Sequence, residues 1–361
     1  MKKSDGVIIL ALMAMGVALF SLPSLADIPR FSMADIAVDG SDNVYVIMEV
    51  GSATPEGVYV YALDGREIKS YLPDRRTDVA IGSDGILYIL NIWQQYIERR
   101  EQNGSLSVVW HEDNPERTII YMAIDREGNL YVSNTGHPEY PDLNVTGKIL
   151  KLSPDGRILY EIKGSPAVPL NRTFKMSISD NGTIYITDGS SHIGAIFPDG
   201  GRGELVPNAT GKNRTLRLMD IAAGDDGYLY VSERSNPCVY KMTDNGTVIA
   251  TWEGCGPERF VTPGSIATDG NGRVFISDML GQRIVWFDSN KYRFGANDSE
   301  NIAGKGVLWD SVLTVDSKPA NQSLRDQIMP PQSIPGFTAA IVFTVLALTG
   351  IILCLRRARR S

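Results

Sequence analysis

The chain has 361 residues, of which 43% are apolar and 21% charged; these values fit a globular protein and exclude a collagen-like or wholly disordered one. The formal net charge of −7 argues against a general nucleic-acid binder, and the acidic excess lies between the two ends, with 29 basic and 41 acidic residues in 27–334. The 35 glycines and 19 prolines predict many turns, which is typical of a chain rich in short strands.

Residues 1–26 are predicted to be an export signal. Two lysines follow the initial Met, residues 7–22 form an apolar run, and Ser24-Leu25-Ala26 places small residues at positions −3 and −1 of a cleavage site. An uncleaved anchor is the alternative. Because Pro23 interrupts a helix just before the site, cleavage is favoured.

A repeat of about 45 residues follows, without any sustained helical period. Each copy has a small apolar strand, an Asp/Gly turn, a strand led by an aromatic residue, a third strand and an outer strand. The aromatic column consists of Tyr45, Tyr88, Tyr131, Tyr185, Tyr230 and Phe275. Four strands per copy of this length are typical of a β-propeller blade, so residues 27–295 are predicted to form an all-β, six-bladed propeller.

The repeat resembles the NHL repeat, which joins a Pro-x-Gly-Ile-Ala-Val-Asp segment to an aromatic strand and an Asn-x-Arg-Ile segment. The sixth copy carries the likeness best, in Pro263–Asp269, Phe275–Asp278 and Gln282–Ile284. Single copies depart from the pattern: Met48 stands where it has Asp, and the third copy carries an insertion at 138–146. The resemblance implies a six-bladed ring.

The sequence leaves open how the ring closes. The outer strand of the sixth blade could come from 291–295, from 307–315 or from the N-terminus. Residues 296–334 are polar and contain three prolines and two glycosylation sequons, which predicts a stalk between the ring and the membrane.

The C-terminal segment 335–361 is predicted to hold a single transmembrane helix. Residues 337–355 carry no charge and are long enough to cross a hydrocarbon core of about 30 Å. Four arginines follow in 356–360, and such a cluster stays cytoplasmic, which places the propeller outside the cell. With Pro335-Gly336-Phe337 before the helix, the segment resembles the PGF-type sorting signal of archaeal surface proteins. That resemblance implies a membrane sortase as a partner and exchange of the tail for a lipid.

Glycosylation sequons agree with an outside location. Of nine Asn-x-Ser/Thr sequons, three lie in Asn-Gly turns, where the turn itself explains the asparagine. The other six are candidate glycosylation sites: Asn144, Asn171, Asn208, Asn213, Asn297 and Asn321.

Two cysteines are candidates for a disulfide. Cys238 and Cys255 bracket a predicted hairpin centred on Asn245-Gly246, so they are expected to lie near each other across two strands. An oxidising exterior would allow them to form a disulfide. Two separate thiols are the alternative.

Two columns of aligned residues define a candidate binding face. The first column precedes the small apolar strand at the predicted channel mouth: Asp35, Asp78, Tyr121, Lys175, Asp220 and Ser265. Its three carboxylates could hold a hard cation such as calcium. The favoured alternative is that each accepts hydrogen bonds from the backbone of a neighbouring blade, with Lys175 balancing their charge. The second column ends the aromatic strand: Met48, Asn91, Asn134, Asp188, Glu233 and Asp278. In NHL repeats an acidic residue at this position organises the following loop, and the resemblance implies the same role here.

The sequence contains no Gly-x-Ser-x-Gly, Walker or His-Glu-x-x-His pattern. His111, His137 and His192 occupy different strand positions, so the histidine–zinc site of amidating-lyase propellers is not expected. Lactonase-type propellers place Asn or Asp metal ligands one residue before the first column. This chain has no ligand residue there, but Ala34, Thr77, Ile120, Phe174, Met219 and Gly264.

These features predict a propeller, anchored at the cell surface, that binds a ligand or a protein on its loop face and breaks no bond. The insertion at 138–146 is expected to be the distinguishing contact. An extracellular lyase or hydrolase with a cation at the channel mouth is the alternative. A structural cell-envelope glycoprotein is the third hypothesis, because propellers host many functions.

Overall fold

The computed structural model describes residues 32–49, 57–71, 78–101, 104–136, 147–172, 175–208, 215–255, 258–281, 283–290 and 305–310. The predicted signal peptide, most of the predicted stalk and the C-terminal hydrophobic segment lie outside these ranges, and those assignments stay predictions. Within the described ranges, no helix is long and apolar enough to cross a membrane.

The described strands form six antiparallel four-stranded sheets, which confirms the predicted six blades of four strands. Blade 1 is formed by β1 (Ser32–Val38), β2 (Val44–Glu49), β3 (Gly57–Tyr61) and β4 (Glu67–Tyr71). Blade 2 is formed by β5 (Asp78–Ile81), β6 (Leu87–Asn91), β7 (Tyr96–Arg100) and β8 (Leu106–His111). Blade 3 is formed by β9 (Arg117–Ile124), β10 (Leu130–Gly136), β11 (Lys148–Leu152) and β12 (Ile158–Lys163).

The second half of the ring repeats this order, with one additional hairpin. Blade 4 is formed by β13 (Lys175–Ile178), β14 (Ile184–Thr187), β15 (Ile193–Ile196) and β16 (Arg202–Leu205). Blade 5 is formed by β17 (Leu218–Ala223), β18 (Leu229–Glu233), β19 (Cys238–Met242) and β20 (Val248–Trp252), and is followed by the hairpin β21 (Gly254–Cys255) and β22 (Glu258–Arg259). Blade 6 is formed by β23 (Pro263–Thr268), β24 (Arg273–Asp278), β25 (Arg283–Asp288) and β26 (Lys305–Asp310).

Asp/Gly turns join the first two strands of a blade, as the repeat predicts. In blade 3, Asp125 Oδ1 accepts the backbone N–H of Asn129 at 2.8 Å, and Gly128 has a φ of 82°. Blade 6 repeats the arrangement with Asp269 and Gly272. A positive φ favours glycine, so the sequence fixes these reversals locally.

Apolar side chains hold the blades together face to face. The described core divides into six clusters, one between each pair of neighbouring blades. The six residues of the aromatic column are all buried in them. Phe275 of blade 6 packs with Ile36 and Tyr59 of blade 1, so apolar contact also closes the ring.

The sixth blade takes its outer strand from residues that follow it in sequence. Strand β26 pairs with β25, with Val307 opposite Val285. It overlaps the 307–315 alternative for closure at residues 307–310, and it lies within the segment 296–334 that the sequence analysis assigned to a stalk. The propeller therefore extends to Asp310 rather than ending at 295. The reason is that β25 needs a partner along its outer edge.

A buried thiol lies between blades 4 and 5. Cys238 is 0% exposed and is a free thiol packed among apolar side chains of both blades. Burial raises the pKa of this thiol to about 12. The side chain of Cys255 lies outside the described side chains, so the disulfide stays a prediction.

Candidate functional site

The first column of residues lies where the innermost strands of the six blades begin. We call the side of the ring on which these strands begin the loop face. It also carries the connections between blades and those between the second and third strands of a blade. The opposite side, which carries the Asp/Gly turns, is the turn face. The column places one residue of each blade near the axis: Asp35 in β1, Asp78 in β5, Tyr121 in β9, Lys175 in β13, Asp220 in β17 and Ser265 in β23.

Each aspartate of this column accepts a hydrogen bond from the backbone of the next blade. The three contacts are Val79 N–H to Asp35 Oδ2 at 3.0 Å, Met122 N–H to Asp78 Oδ2 at 2.5 Å and Ile266 N–H to Asp220 Oδ2 at 3.0 Å. Because an innermost strand pairs with its own blade along one edge, its other edge needs such acceptors. This is the alternative that the sequence analysis favoured.

Lys175 reaches across the axis of the ring. Blade 4 is opposite blade 1, yet Lys175 Nζ lies 2.6 Å from Asp35 Oδ1 and also pairs with Asp78. The Tyr121 ring is close to the same ammonium, with 5.0 Å between Nζ and the ring centroid. The Lys175 side chain is 13% exposed, so its charge depends on these partners.

Ser265 joins three blades at the same end of the channel. Its Oγ lies 2.7 Å from Asp35 Oδ1 and 2.9 Å from Asp220 Oδ2. The same oxygen accepts the backbone N–H of Ile36 at 3.3 Å. Together with Lys175, this hydroxyl connects polar side chains of blades 1, 2, 4, 5 and 6. Blade 3 contributes the Tyr121 ring beside the ammonium and the Met122 N–H, which binds Asp78.

The pKa values of the three buried carboxyl groups shift in different directions, because burial, Lys175 and the neighbouring carboxylates affect each of them differently. Burial favours a higher pKa for Asp35, but the Lys175 charge and hydrogen bonds outweigh it and lower that pKa. Burial and the adjacent Asp35 raise the pKa of Asp78 well above its usual value. Burial raises the pKa of Asp220 to about 6, with Lys175 opposing the rise. Burial disfavours the ammonium, yet the carboxylates raise the pKa of Lys175 well above normal.

This geometry does not support the calcium hypothesis for Asp35, Asp78 and Asp220. No group of three or more His, Cys, Asp or Glu side chains that could hold a metal ion is found in the described part of the chain. The physical reason is that Lys175 supplies the positive charge and that backbone N–H groups occupy the carboxylate oxygens. His111 and His192 instead contact Asp113 and Glu204, and His137 lies outside the described residues.

The second column organises loops on the same face. Asn91 Oδ1 accepts the N–H of Trp93, Glu233 accepts that of Ser235, and Asp188 accepts that of Ser190. Three members also contact residues at the entrance to their own blade: Asp278 accepts the N–H of Thr262, Glu233 accepts that of Arg217, and Asn134 accepts a bond from the Arg117 guanidinium. These contacts agree with the expected organising role, and they use the polar groups of the column for structure.

The channel behind the first column is small. Its cavity has a volume of about 170 Å³, below the roughly 300–1,000 Å³ of typical ligand pockets. Five alanines and a serine contribute to its lining, in agreement with the crowded axis expected from the sequence: Ala37, Ala80, Ala123, Ser177, Ala222 and Ala267.

At the turn face, Arg126 pairs with Asp180 at 2.6 Å and with Asp225 at 2.8 Å, linking blades 3, 4 and 5.

Several of the described apolar side chains are exposed in loops of the loop face, among them Trp93, Leu280 and Val261. Trp93 lies between β6 and β7, Leu280 between β24 and β25, and Val261 just before β23; their exposed fractions are 66%, 66% and 53%. Exposed tryptophan is enriched among residues that carry binding energy. The sequence analysis missed these residues, although a tryptophan within the polar turn Asn91–Gln95 was a usable signal.

Comparison with known proteins identifies the fold. No protein-family model matches the sequence, and no curated protein matches it. Among solved structures, virginiamycin B lyase from Staphylococcus aureus is similar with a TM-score of 0.51 and 16% identity, over 74% of this chain and 86% of that one. A gluconolactonase from Xanthomonas campestris has a TM-score of 0.51 and 15% identity, over 69% and 84%.

A third similar structure is a protein of unknown function from Bacteroides thetaiotaomicron, with a TM-score of 0.52 and 15% identity over 71% of this chain and 69% of that one. At these identities the likeness shows the shared propeller fold alone. Membership in the NHL family therefore stays a prediction.

Proposed function

We propose that this chain is a propeller held at the outer surface of a cell that binds a ligand or a protein partner on its loop face. The observation that carries the proposal is that side chains on that face fall into two groups, one bonded within the protein and one exposed to solvent. The first-column residues are engaged with one another across the ring, whereas Trp93, Leu280 and Val261 are presented to solvent. A rigid ring that positions exposed loop side chains is suited to binding.

The predicted leader, sequons and C-terminal helix support the outside location. The small channel supports contact through loops rather than through a ligand enclosed on the axis. In this proposal the six blades act as a scaffold, and the loops determine what is bound.

Photo-crosslinking in the native cell tests the proposal. A photoreactive amino acid replaces Trp93 or Leu280 in the full chain, and the matched positions are Glu127 and Asn271, which are exposed on the turn face. We expect a discrete crosslinked product from the loop-face positions and none from the turn-face positions. Equal labelling from both faces, or no product from any position, contradicts a loop-face binding module.

A surface enzyme is the second candidate, and the likeness of its fold to a lyase and a gluconolactonase favours it. The purified full chain would then convert gluconolactone or virginiamycin B. The Lys175→Met variant would lose more turnover than its loss of folded protein explains. Binding without turnover of these substrates favours the binding module.

A further inference from the structure

The hydroxyl of Ser265 contacts more acceptors than its single proton can serve. Its Oγ lies 2.7 Å from Asp35 Oδ1 and 2.9 Å from Asp220 Oδ2, and both are hydrogen-bond distances. A serine hydroxyl has one proton and two lone pairs. The Ile36 N–H takes one lone pair, so one of the two carboxyl contacts must use a proton from the carboxyl itself.

Protonation of Asp220 satisfies every contact of this group. Ser265 then donates to Asp35, which is paired with Lys175, and accepts both the Ile36 N–H and the Asp220 O–H. If Asp220 is ionised, Ser265 can donate to one carboxylate only. The other contact then places two acceptor oxygens against each other within the buried end of the channel.

This group lies where the ring closes. Blade 6 is built from 263–310 and blade 1 from 32–71, so no strand is shared between them. Their polar links in the described chain include Ser265 with Asp35 and Ile36 at the loop face, and Arg273 with Asp42 at the turn face. Loss of one loop-face link therefore weakens one end of that interface.

We propose that Asp220 and Ser265 form a proton-dependent junction that closes the ring, joining blades 5, 6 and 1 tightly when the Asp220 carboxyl is protonated and loosening when it ionises. The junction is independent of what the loop face binds. It makes the propeller most firmly closed in a mildly acidic medium.

The charged and titratable groups around Asp220 set the pH at which its carboxyl ionises. They come from the innermost strands packed about the axis: Asp35 on β1, Asp78 on β5, Tyr121 on β9 and Lys175 on β13. Lys175 favours the ionised form and Asp35 opposes it, while burial has the largest effect and raises the pKa of Asp220 to about 6.

The sign of the pH dependence follows from linkage. A carboxyl with a raised pKa binds more protons in the folded than in the unfolded state, so its contribution to stability falls as pH rises. With a pKa of about 6 in the folded chain and about 3.9 when unfolded, this group lowers the folding equilibrium constant roughly tenfold between pH 5 and pH 7.5.

Urea unfolding of the full chain at pH 5 and pH 7.5 tests the junction. In Asp220→Asn the side chain does not titrate, so we expect the folding constant to lose that tenfold fall. Its value at pH 5 should be lower than that of the wild type, because an amide nitrogen that donates to Ser265 no longer accepts the Ile266 N–H. Asp78 also has a raised pKa, so the measurement is the difference between the wild-type and variant curves. Equal pH dependence in both chains overturns the proposal.

Asp125→Asn is the matched control. Asp125 is a buried aspartate in a turn of the turn face, and hydrogen bonds with Asn129 and Lys151 lower its pKa against the effect of burial. The folding equilibrium constant of this variant should fall between pH 5 and pH 7.5 by the same factor as that of the wild type. If Asp220→Asn does not fold, carboxyl ¹³C titration of the wild-type chain decides: an Asp220 pKa near the ordinary 3.9 overturns the junction.

Discussion

Lys175 Nζ lies 2.6 Å from Asp35 Oδ1, although the two residues are 140 positions apart and belong to opposite blades. One side chain thus ties together parts of the ring that share no sheet. Most contacts between blades in this fold join neighbours, through the six apolar clusters. The axial ion pair is different because it connects blades across the channel.

Removal of this ammonium should destabilise the whole ring. In Lys175→Met, Asp35 and Asp78 lose their shared cation while remaining buried. We expect the free energy of unfolding to fall by about 3–5 kcal/mol, the usual cost of leaving a buried charge uncompensated. Urea unfolding measures the change.

The control for this variant is Lys148→Met, which removes a more exposed pair with Glu161. It should cost less than about 1 kcal/mol. Equal losses of unfolding free energy in the two variants would mean that the buried axial position of Lys175 adds nothing to its contribution to stability.

Acid should remove the stability that the ionised Asp35 carboxylate contributes to the fold. Since the folded pKa of Asp35 is lowered, its carboxylate contributes stability that is fully present above the ordinary value of 3.8 and is lost as pH falls through the lowered value. We expect Asp35→Asn to be less stable than the wild type near neutral pH and to converge with it in strong acid. Unfolding curves in buffers on both sides of pH 3.8 measure this.

Asp113→Asn serves as the comparison, because the Asp113 side chain is 94% exposed. Its curve should follow that of the wild type throughout. A constant gap between Asp35→Asn and the wild type down to the lowest pH would show that the Asp35 charge does not contribute in this way.

Cys238 should be chemically inert in the folded protein. Its thiol is buried and burial raises its pKa to about 12, so the thiolate is rare at pH 8. We expect iodoacetamide to leave Cys238 unmodified in the native chain and to alkylate it after unfolding, as read by peptide mapping. A native peptide linking Cys238 to Cys255 would instead establish the disulfide.

Asn171 should carry a glycan if the propeller faces outside the cell. Its side chain is exposed in the connection between blades 3 and 4. Intact-mass measurement of the chain from its native membrane should show one glycan fewer in Asn171→Gln. Asn245 is the control, because its Oδ1 accepts the Thr247 N–H within a hairpin turn and its replacement should remove none. An unmodified wild-type mass would count against the outside location.

Local chemistry made the blades predictable. An aromatic such as Tyr131 stands at the start of its strand, six residues after the Asp/Gly turn begins at Asp125. The three strand pairings of a blade also involve residues close in sequence. The first column was also predictable, because each member holds the same position in its copy. The inter-blade hydrogen bonds to Asp35, Asp78 and Asp220 were among the alternatives weighed.

Ring closure was not predictable in the same way. Strand β26 follows β25 only after 289–304, a stretch without a repeat signal, and its polar surroundings suggested a stalk. Similarly, the repeat places the loops that contain Trp93 and Leu280 on one face, but only the structure shows that both side chains are exposed there. Both facts depend on how distant segments are placed.

The sequence by itself determined the number of blades, the order of strands within each and the residues facing the axis, because turns and strand alternation act over short stretches of chain. The tertiary structure alone decided that Lys175 pairs across the channel with Asp35, and that Ser265 lies between Asp35 and Asp220. These contacts exist because closing a ring brings residues that are far apart in sequence to one buried axis, where a few polar groups must satisfy one another in place of water.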